Sequence, residues 1–120
     1  MASIKQIRKA YQNEVIQKLL GLPAEIEEAE NKVIIATNAV EDAKCALLDK
    51  ETSLYNEGKV EGRNEALRKA CLASLTAEEK EVVREKEREL VCARKEYSRK
   101  LNDFSAMRAL SRLLAVQDVI

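Results

Sequence analysis

The sequence predicts an all-α protein: a long antiparallel helical hairpin, or coiled coil, with a short N-terminal helix. Charged residues make up 35% and apolar residues 46% of the 120 positions, while aromatic residues reach only 3%. Three glycines and one proline leave few helix breakers, which is typical of long helices. Large apolar residues also recur every seven positions, the pattern of a coiled coil. We therefore expect a single helical domain over residues 1–120.

The first helix is expected over residues 3–20. Ser3 and Gln6 have the spacing of a capping box at a helix N-terminus. Gly21 and Pro23 then favour a helix end or a kink, because glycine suits the carboxyl end of one helix and proline suits the first turn of the next. We therefore expect a boundary at residues 21–23, where the first helix either ends or continues into the second helix with a kink.

The second helix is expected over residues 23–57 and has the clearest heptad pattern. Its predicted seam alternates large residues with alanine: Ile26, Val33, Val40, Leu47 and Leu54, then Ala29, Ala36 and Ala43. Four further residues with apolar or thiol side chains lie off this seam: Ile34, Ile35, Cys45 and Leu48. A contact between two helices would leave these four in water. We therefore expect a third helix or a second chain to cover them, and we favour a homodimer or higher oligomer.

The third helix is expected over residues 64–117, with a break near residues 74–76. Asn64 follows a connection that contains two glycines and can cap the helix. Thr76 and Glu79 have the spacing of another capping box, which predicts the break. Beyond it, four apolar residues are spaced by seven and predict one narrow buried stripe: Val83, Leu90, Tyr97 and Phe104.

A short connection makes its flanking helices antiparallel neighbours. If the chain folds back at Gly62, Leu114 lies opposite Ile7 or Arg8. The alternative is a compact three-helix bundle, in which the N-terminal helix folds back on the second helix.

The residue types argue against catalysis. The chain has no histidine, so it lacks an imidazole base and the usual partner of a serine or cysteine nucleophile. A carboxylate or lysine base would need a concave pocket to shift its pKa. We therefore expect no enzyme, and no cofactor or metal.

Three cysteines, Cys45, Cys71 and Cys92, are odd in number and far apart. This spacing predicts neither a disulfide framework nor a metal cluster, and we expect buried thiols in a reducing compartment. The N-terminus lacks the apolar core of a signal peptide, and no apolar run approaches the length of a membrane span. These observations favour a cytoplasmic protein with no membrane partner.

The connection and the start of the third helix (residues 58–69) form what we call the tip. Its glycines and cations resemble a phosphate loop superficially, but the spacing of a P-loop is absent. The simpler interpretation is a helical turn with solvated cations. If the tip contacts a partner, the candidate residues are Lys59, Arg63, Asn64, Arg68 and Lys69.

Although the net charge is zero, cations concentrate in two stretches that a hairpin would bring near each other. We call this set the basic end: Lys5, Arg8, Lys9, Arg94, Lys95, Arg99 and Lys100. A solvated face is the simplest interpretation, followed by an acidic protein partner and then by nucleic acid. The sequence offers few aromatic residues for stacking on single strands, and it has no helix-turn-helix signature.

The tip carries a short motif: Tyr55-Asn56-Glu57-Gly58-Lys59-Val60-Glu61-Gly62-Arg63-Asn64-Glu65-Ala66-Leu67-Arg68-Lys69-Ala70. It resembles small coiled-coil proteins of bacteriophages and prophages. These carry Tyr, then Gly-x-(Val/Ile)-x-Gly-(Lys/Arg)-Asn, then Arg-Lys-Ala, between two long helices. Gly58, Gly62, Arg63, Asn64 and Arg68 match that motif. The resemblance covers about 16 residues closely, and it implies an accessory or host-modulating role in a phage-infected bacterium.

The sequence thus favours a non-enzymatic protein–protein interaction or accessory protein that acts through helix faces and the tip, and the resemblance implies a phage or prophage origin. The alternative is a nucleic-acid-associated accessory factor for recombination, replication or host-nuclease modulation. That alternative would use the basic end.

Overall fold

The computed structural model describes residues 3–119, with side chains up to residue 116. It contains three helices: α1 over Ile4–Asn56, α2 over Glu65–Leu75 and α3 over Ala77–Val119. The described residues include no strand. The predicted all-α class is therefore confirmed, and so is the hairpin, because the two long helices pack against each other.

The chain divides into two compact units. Unit 1 combines the part of α1 up to Lys32 with the part of α3 from Arg94 onward. Unit 2 is Val33–Ala93 and holds the rest of α1, the connection, α2 and the start of α3. Each unit therefore pairs one segment of α1 with one segment of α3.

The predicted boundary between a first and a second helix is wrong, because α1 continues through Pro23. Proline inside a helix removes one backbone hydrogen bond and costs about 3 kcal/mol. Side chains on both sides of Pro23 are nonetheless buried at seven-residue steps, namely Val15, Leu22 and Ala29. Their burial offsets the local cost. The three-helix bundle is also wrong, since the described part of unit 1 has only one segment of each long helix.

The predicted heptad seam is confirmed on α1. Val40, Ala43 and Leu54 of unit 2 are buried, as is Ala29 of unit 1. The other members of the predicted seam are half-buried: Ile26, Val33, Ala36 and Leu47. On α3, Leu90 is buried and the remaining members of its stripe are half-buried: Val83, Tyr97 and Phe104.

In unit 1, the seam of α3 includes a lysine. Lys100 is half-buried, and its ammonium nitrogen lies 3.6 Å from the Glu25 carboxylate. The Gln12 side chain donates to the Leu114 carbonyl at 3.5 Å. The expectation that Leu114 faces Ile7 or Arg8 is therefore wrong by about one helical turn, because folding at Gly62 ignores the separate helix α2.

The helix ends show which capping residues operate. The Ser3–Gln6 capping box forms: the Gln6 amide donates to the Ser3 hydroxyl (3.2 Å), and the Ser3 amide donates to the Gln6 side chain (2.8 Å). The break near residue 76 is confirmed at Thr76, which is fully buried. Its hydroxyl donates to the Leu72 carbonyl at 2.8 Å. Thr76 therefore closes α2, instead of forming the expected capping box with Glu79.

The helices of the described chain include no segment that is long and apolar enough to cross a membrane.

Candidate functional site

The tip begins where α1 ends. Gly58 has a φ of +68°, and its amide donates to the Tyr55 carbonyl at 3.2 Å. The Lys59 amide donates to the Leu54 carbonyl at 3.0 Å. This pair of bonds is a Schellman motif, in which glycine takes the left-handed position that ends a helix. Gly58 therefore has a structural role in the tip.

Gly62 lies against the first turn of α2. A Cβ atom at this position would lie 2.7 Å from the Arg68 amide nitrogen and 2.9 Å from the Leu67 Cβ. Both distances are shorter than van der Waals contact, so a side chain at residue 62 would push the connection away from α2. Gly62 is needed for this close approach.

Asn64 caps α2, as the sequence predicted. Its backbone is extended, and its side-chain oxygen accepts a hydrogen bond from the Leu67 amide at 2.9 Å. This bond satisfies one of the free amides at the start of the helix. Asn64 therefore has a structural role, which accounts for its place in the motif without any partner.

Two lysines of the predicted contact patch are already paired. Lys59 lies 2.9 Å from the Glu57 carboxylate, and Lys69 lies 3.6 Å from the Glu65 carboxylate. The hydrogen bond from Lys59 holds the pKa of the Glu57 carboxyl below its ordinary value of 4.5. Both pairs are exposed, so each contributes little to stability.

Arg63 and Arg68 differ from those lysines. Both residues are exposed. Their guanidinium groups form no ion pair or side-chain hydrogen bond with any residue that the structure describes. Guanidinium groups present a rigid fork of donors that suits carboxylates and phosphates. Of the five residues predicted at the tip, these two are the ones left available for a partner.

An apolar component of the tip was missed from the sequence. Leu67 is 51% exposed between the two arginines in the chain, and Leu75 at the other end of α2 is 43% exposed. No residue of α2 is buried. The Cys71 thiol instead contacts the Lys59 carbonyl at 3.7 Å. The signal in the sequence was the spacing of the apolar residues in α2, to which the sequence analysis gave no role.

The structure does not bring the two stretches of the basic end together. Lys5 and Lys9 precede Gln12 along α1, and Gln12 contacts Leu114 of α3. Lys100 lies at the level of Glu25. Sixteen residues of α1 between Lys9 and Glu25 correspond to about 24 Å. Among the other members, Arg8 belongs to the first stretch, and Arg94 and Lys95 belong to the second.

Two cations of the second stretch also have carboxylate partners. Arg99 is hydrogen-bonded to Glu96, which lowers the pKa of the Glu96 carboxyl and raises the pKa of Arg99. Lys100 pairs with Glu25. Charges neutralised within the protein are less available to displace counterions from a nucleic acid.

Concave surfaces are small and mostly charged. In unit 1, a cavity of about 360 Å³ is lined by Lys18, Leu22, Glu25, Lys100, Asp103 and Met107. In unit 2, a cavity of about 490 Å³ lies on one face of α3, along residues 84–92. The described residues include no group of His, Cys, Asp or Glu arranged to hold a metal ion.

The expectation of buried thiols is wrong for two of the three cysteines. Cys45 and Cys92 are exposed, and Cys71 is half-buried. Cys45 is exposed because it lies away from the seam of α1. The off-seam residues Ile34, Ile35 and Leu48 are exposed as well.

Comparisons with protein-family models, with curated proteins and with solved structures find no match to this chain.

Proposed function

We propose that this protein is a non-enzymatic interaction protein that binds another protein through its tip and acts as a homodimer. The observation that carries the proposal is the division of the tip motif. Gly58, Gly62 and Asn64 shape the chain, whereas the Arg63 and Arg68 guanidinium groups have no partner among the described residues.

The chemistry of the tip favours a protein surface with carboxylates around an apolar depression. Two free guanidinium groups supply charge, and Leu67 between them in the chain is half exposed. Arginine is among the residues enriched at the energetically dominant centre of protein interfaces. A nucleic acid would gain little from Leu67, because an aliphatic side chain offers no ring on which a base can stack.

The resemblance of the tip motif to small phage and prophage coiled-coil proteins supports an accessory or host-modulating role. We therefore place the protein in the cytoplasm of a bacterial host, where three unpaired cysteines would stay reduced. The missing histidine supports a role without catalysis.

The proposal is tested by partner capture from a bacterial lysate with three forms of the full chain. The wild type is compared with Arg63→Ala/Arg68→Ala, and Arg94→Ala/Lys95→Ala serves as a control that removes the same charge elsewhere. We expect the wild type and the control to capture the same protein, and the tip variant to lose it. Helicity and melting temperature should match in all three forms. Capture that survives in the tip variant would contradict the proposal, and so would a large loss of stability in that variant.

The nucleic-acid alternative is tested with a fluorescent DNA duplex at low and high salt. Binding through phosphates weakens steeply as salt rises, whereas binding in a protein groove does not. We expect no binding at either salt concentration. Salt-sensitive binding that disappears in Arg94→Ala/Lys95→Ala would instead support the accessory factor acting through the basic end.

A further inference from the structure

In unit 2, α1 carries a second heptad pattern on a face other than the one that packs on α3. Ile34, Glu41, Leu48 and Tyr55 are spaced by seven. Asn38, Cys45 and Thr52 are also spaced by seven and lie between them. Alternating steps of three and four residues place all seven on one helix face. We call this set the outer seam.

The outer seam is exposed along its length. Ile34 is 51% exposed, Leu48 is 61% exposed and Tyr55 is 55% exposed. Cys45 is also exposed. The sequence left open whether a third helix or a second chain covers this face, and no helix of the described chain does so. Of the two alternatives, a second chain is the one that is left to cover the outer seam.

The chain exposes more surface than a compact monomer of its mass. The accessible surface is 9159 Å², whereas about 6500 Å² is typical of a compact monomer of 13.5 kDa. Only seven apolar side chains are buried in the described part of the chain. A standard interface covers about 800 Å² on each partner. The chain can therefore bury a full dimer interface and still expose the tip.

We propose that the outer seams of two copies pack against each other as a parallel, in-register coiled coil. The inference deepens the proposed homodimer and rests on it. Leu48 packs on the partner's Leu48, and Ile34 and Tyr55 pair in the same way. The seam from Ile34 to Tyr55 spans about 33 Å of helix.

One charged pair beside the outer seam favours the parallel orientation. Lys44 precedes Asp49 by five residues, which is the spacing that brings oppositely charged residues together across a parallel coiled coil. Lys44 of each copy then meets the partner's Asp49.

Asn38 and Glu41 agree with a specific rather than a very tight dimer. A polar asparagine inside a coiled-coil seam fixes register and the number of strands at a cost in stability. Glu41 faces the partner's Glu41 in the parallel arrangement, which weakens association further. The parallel dimer places both tips at the same end, so that a partner with two binding sites gains affinity from both contacts.

Chemical cross-linking of full-length chains tests the arrangement. The three native cysteines are replaced by serine, and a single cysteine is introduced as Asn38→Cys or Thr52→Cys. A short bismaleimide is then added to each variant alone and to a mixture of the two. We expect each variant to form covalent dimers alone, because equal positions face each other in a parallel pair. Cross-links that form only in the mixture would show an antiparallel pair and would overturn the proposal.

Sedimentation equilibrium of Leu48→Glu separates this proposal from the homodimer itself. Val82→Glu is the matched control, because Val82 is 46% exposed on α3, away from the outer seam. We expect Leu48→Glu to weaken dimerisation at least tenfold and the control to leave it unchanged. A dimer that resists Leu48→Glu would overturn the outer seam but leave the homodimer intact. A wild-type chain that is monomeric throughout would contradict both.

Discussion

At the scale of single residues, the tip motif combines residues that shape the chain with two arginines that we propose bind a partner. Gly58 ends α1 in a left-handed conformation, Gly62 allows a backbone approach, and Asn64 caps α2. The Arg63 and Arg68 guanidinium groups take no part in that geometry. The caps at Ser3 and Asn64 were predictable from sequence, because capping depends on neighbours three residues away. The exposure of Leu67 was not predictable, because it depends on how α2 packs.

Two glycine substitutions should have opposite effects on stability. Gly62→Ala places a Cβ 2.7 Å from the Arg68 amide nitrogen, and we expect it to lower the free energy of unfolding by about 1–3 kcal/mol. Gly21→Ala meets no atom within 4 Å inside α1, and should raise it by about 1 kcal/mol. Urea unfolding followed by circular dichroism measures both changes. Equal effects from the two variants would contradict the role of Gly62.

Acid should weaken α3 through its glutamates. Arg88 and Arg84 hold the pKa of the Glu81 carboxyl below its ordinary value of 4.5, and Arg99 does the same for Glu96. The stability that these two ionised glutamates contribute to the folded chain is present above pH 4.5. It is lost as the pH falls through the lowered pKa values. We expect a small fall in melting temperature below pH 4.5, because these pairs are exposed. Glu81→Gln should reduce that fall, and an unchanged fall would assign it to other groups.

At the scale of helices, heptad spacing predicted the seam of α1 correctly, since burial repeats wherever a partner helix runs alongside. The same reasoning failed at Pro23, where continuous packing of Val15, Leu22 and Ala29 overrides a local helix breaker. Heptad spacing also did not predict that Lys100 lies on the seam of α3. A lysine stem can lie along an apolar seam while its ammonium group reaches solvent or a carboxylate.

Lys100 should contribute to the specific register between α1 and α3 rather than to the free energy of unfolding. Its side chain is 24% exposed, and its ammonium nitrogen is 3.6 Å from the Glu25 carboxylate. Replacing a largely buried charge by an apolar side chain of similar length is often neutral or stabilising. We therefore expect Lys100→Met to raise the free energy of unfolding by up to about 2 kcal/mol, as measured in urea. A loss of more than about 2 kcal/mol would show that the ion pair dominates.

Glu41 is the charged residue within the outer seam, and its replacement by an apolar residue tests whether affinity for the partner copy rises. Glu41→Leu fills the layer between Ile34 and Leu48 with an apolar residue. We expect the dissociation constant of the dimer to fall by at least tenfold in sedimentation experiments, because each buried leucine contributes about 1.5–3 kcal/mol. The matched control is Glu85→Leu on α3, which should leave the constant unchanged. An equal gain in the control would indicate non-specific association.

At the scale of the whole molecule, we propose a dimer that presents two tips and performs no chemistry. The fold class was predictable because helix composition and heptad spacing are properties of the chain itself. Partner identity was not, because the two available arginines specify a complementary charge but no particular protein. The proposed dimer lies between these cases, because the outer seam is exposed and the charged pair beside it suits a second copy of the chain.

The most direct test of the central claim is the molar mass in solution, measured by light scattering at low and high salt, with and without a short DNA duplex. The account predicts twice the chain mass of 13.5 kDa at both salt concentrations, with no change when DNA is added. A mass of one chain would contradict the dimer. A particle that takes up DNA at low salt and releases it at high salt would contradict the protein-binding function.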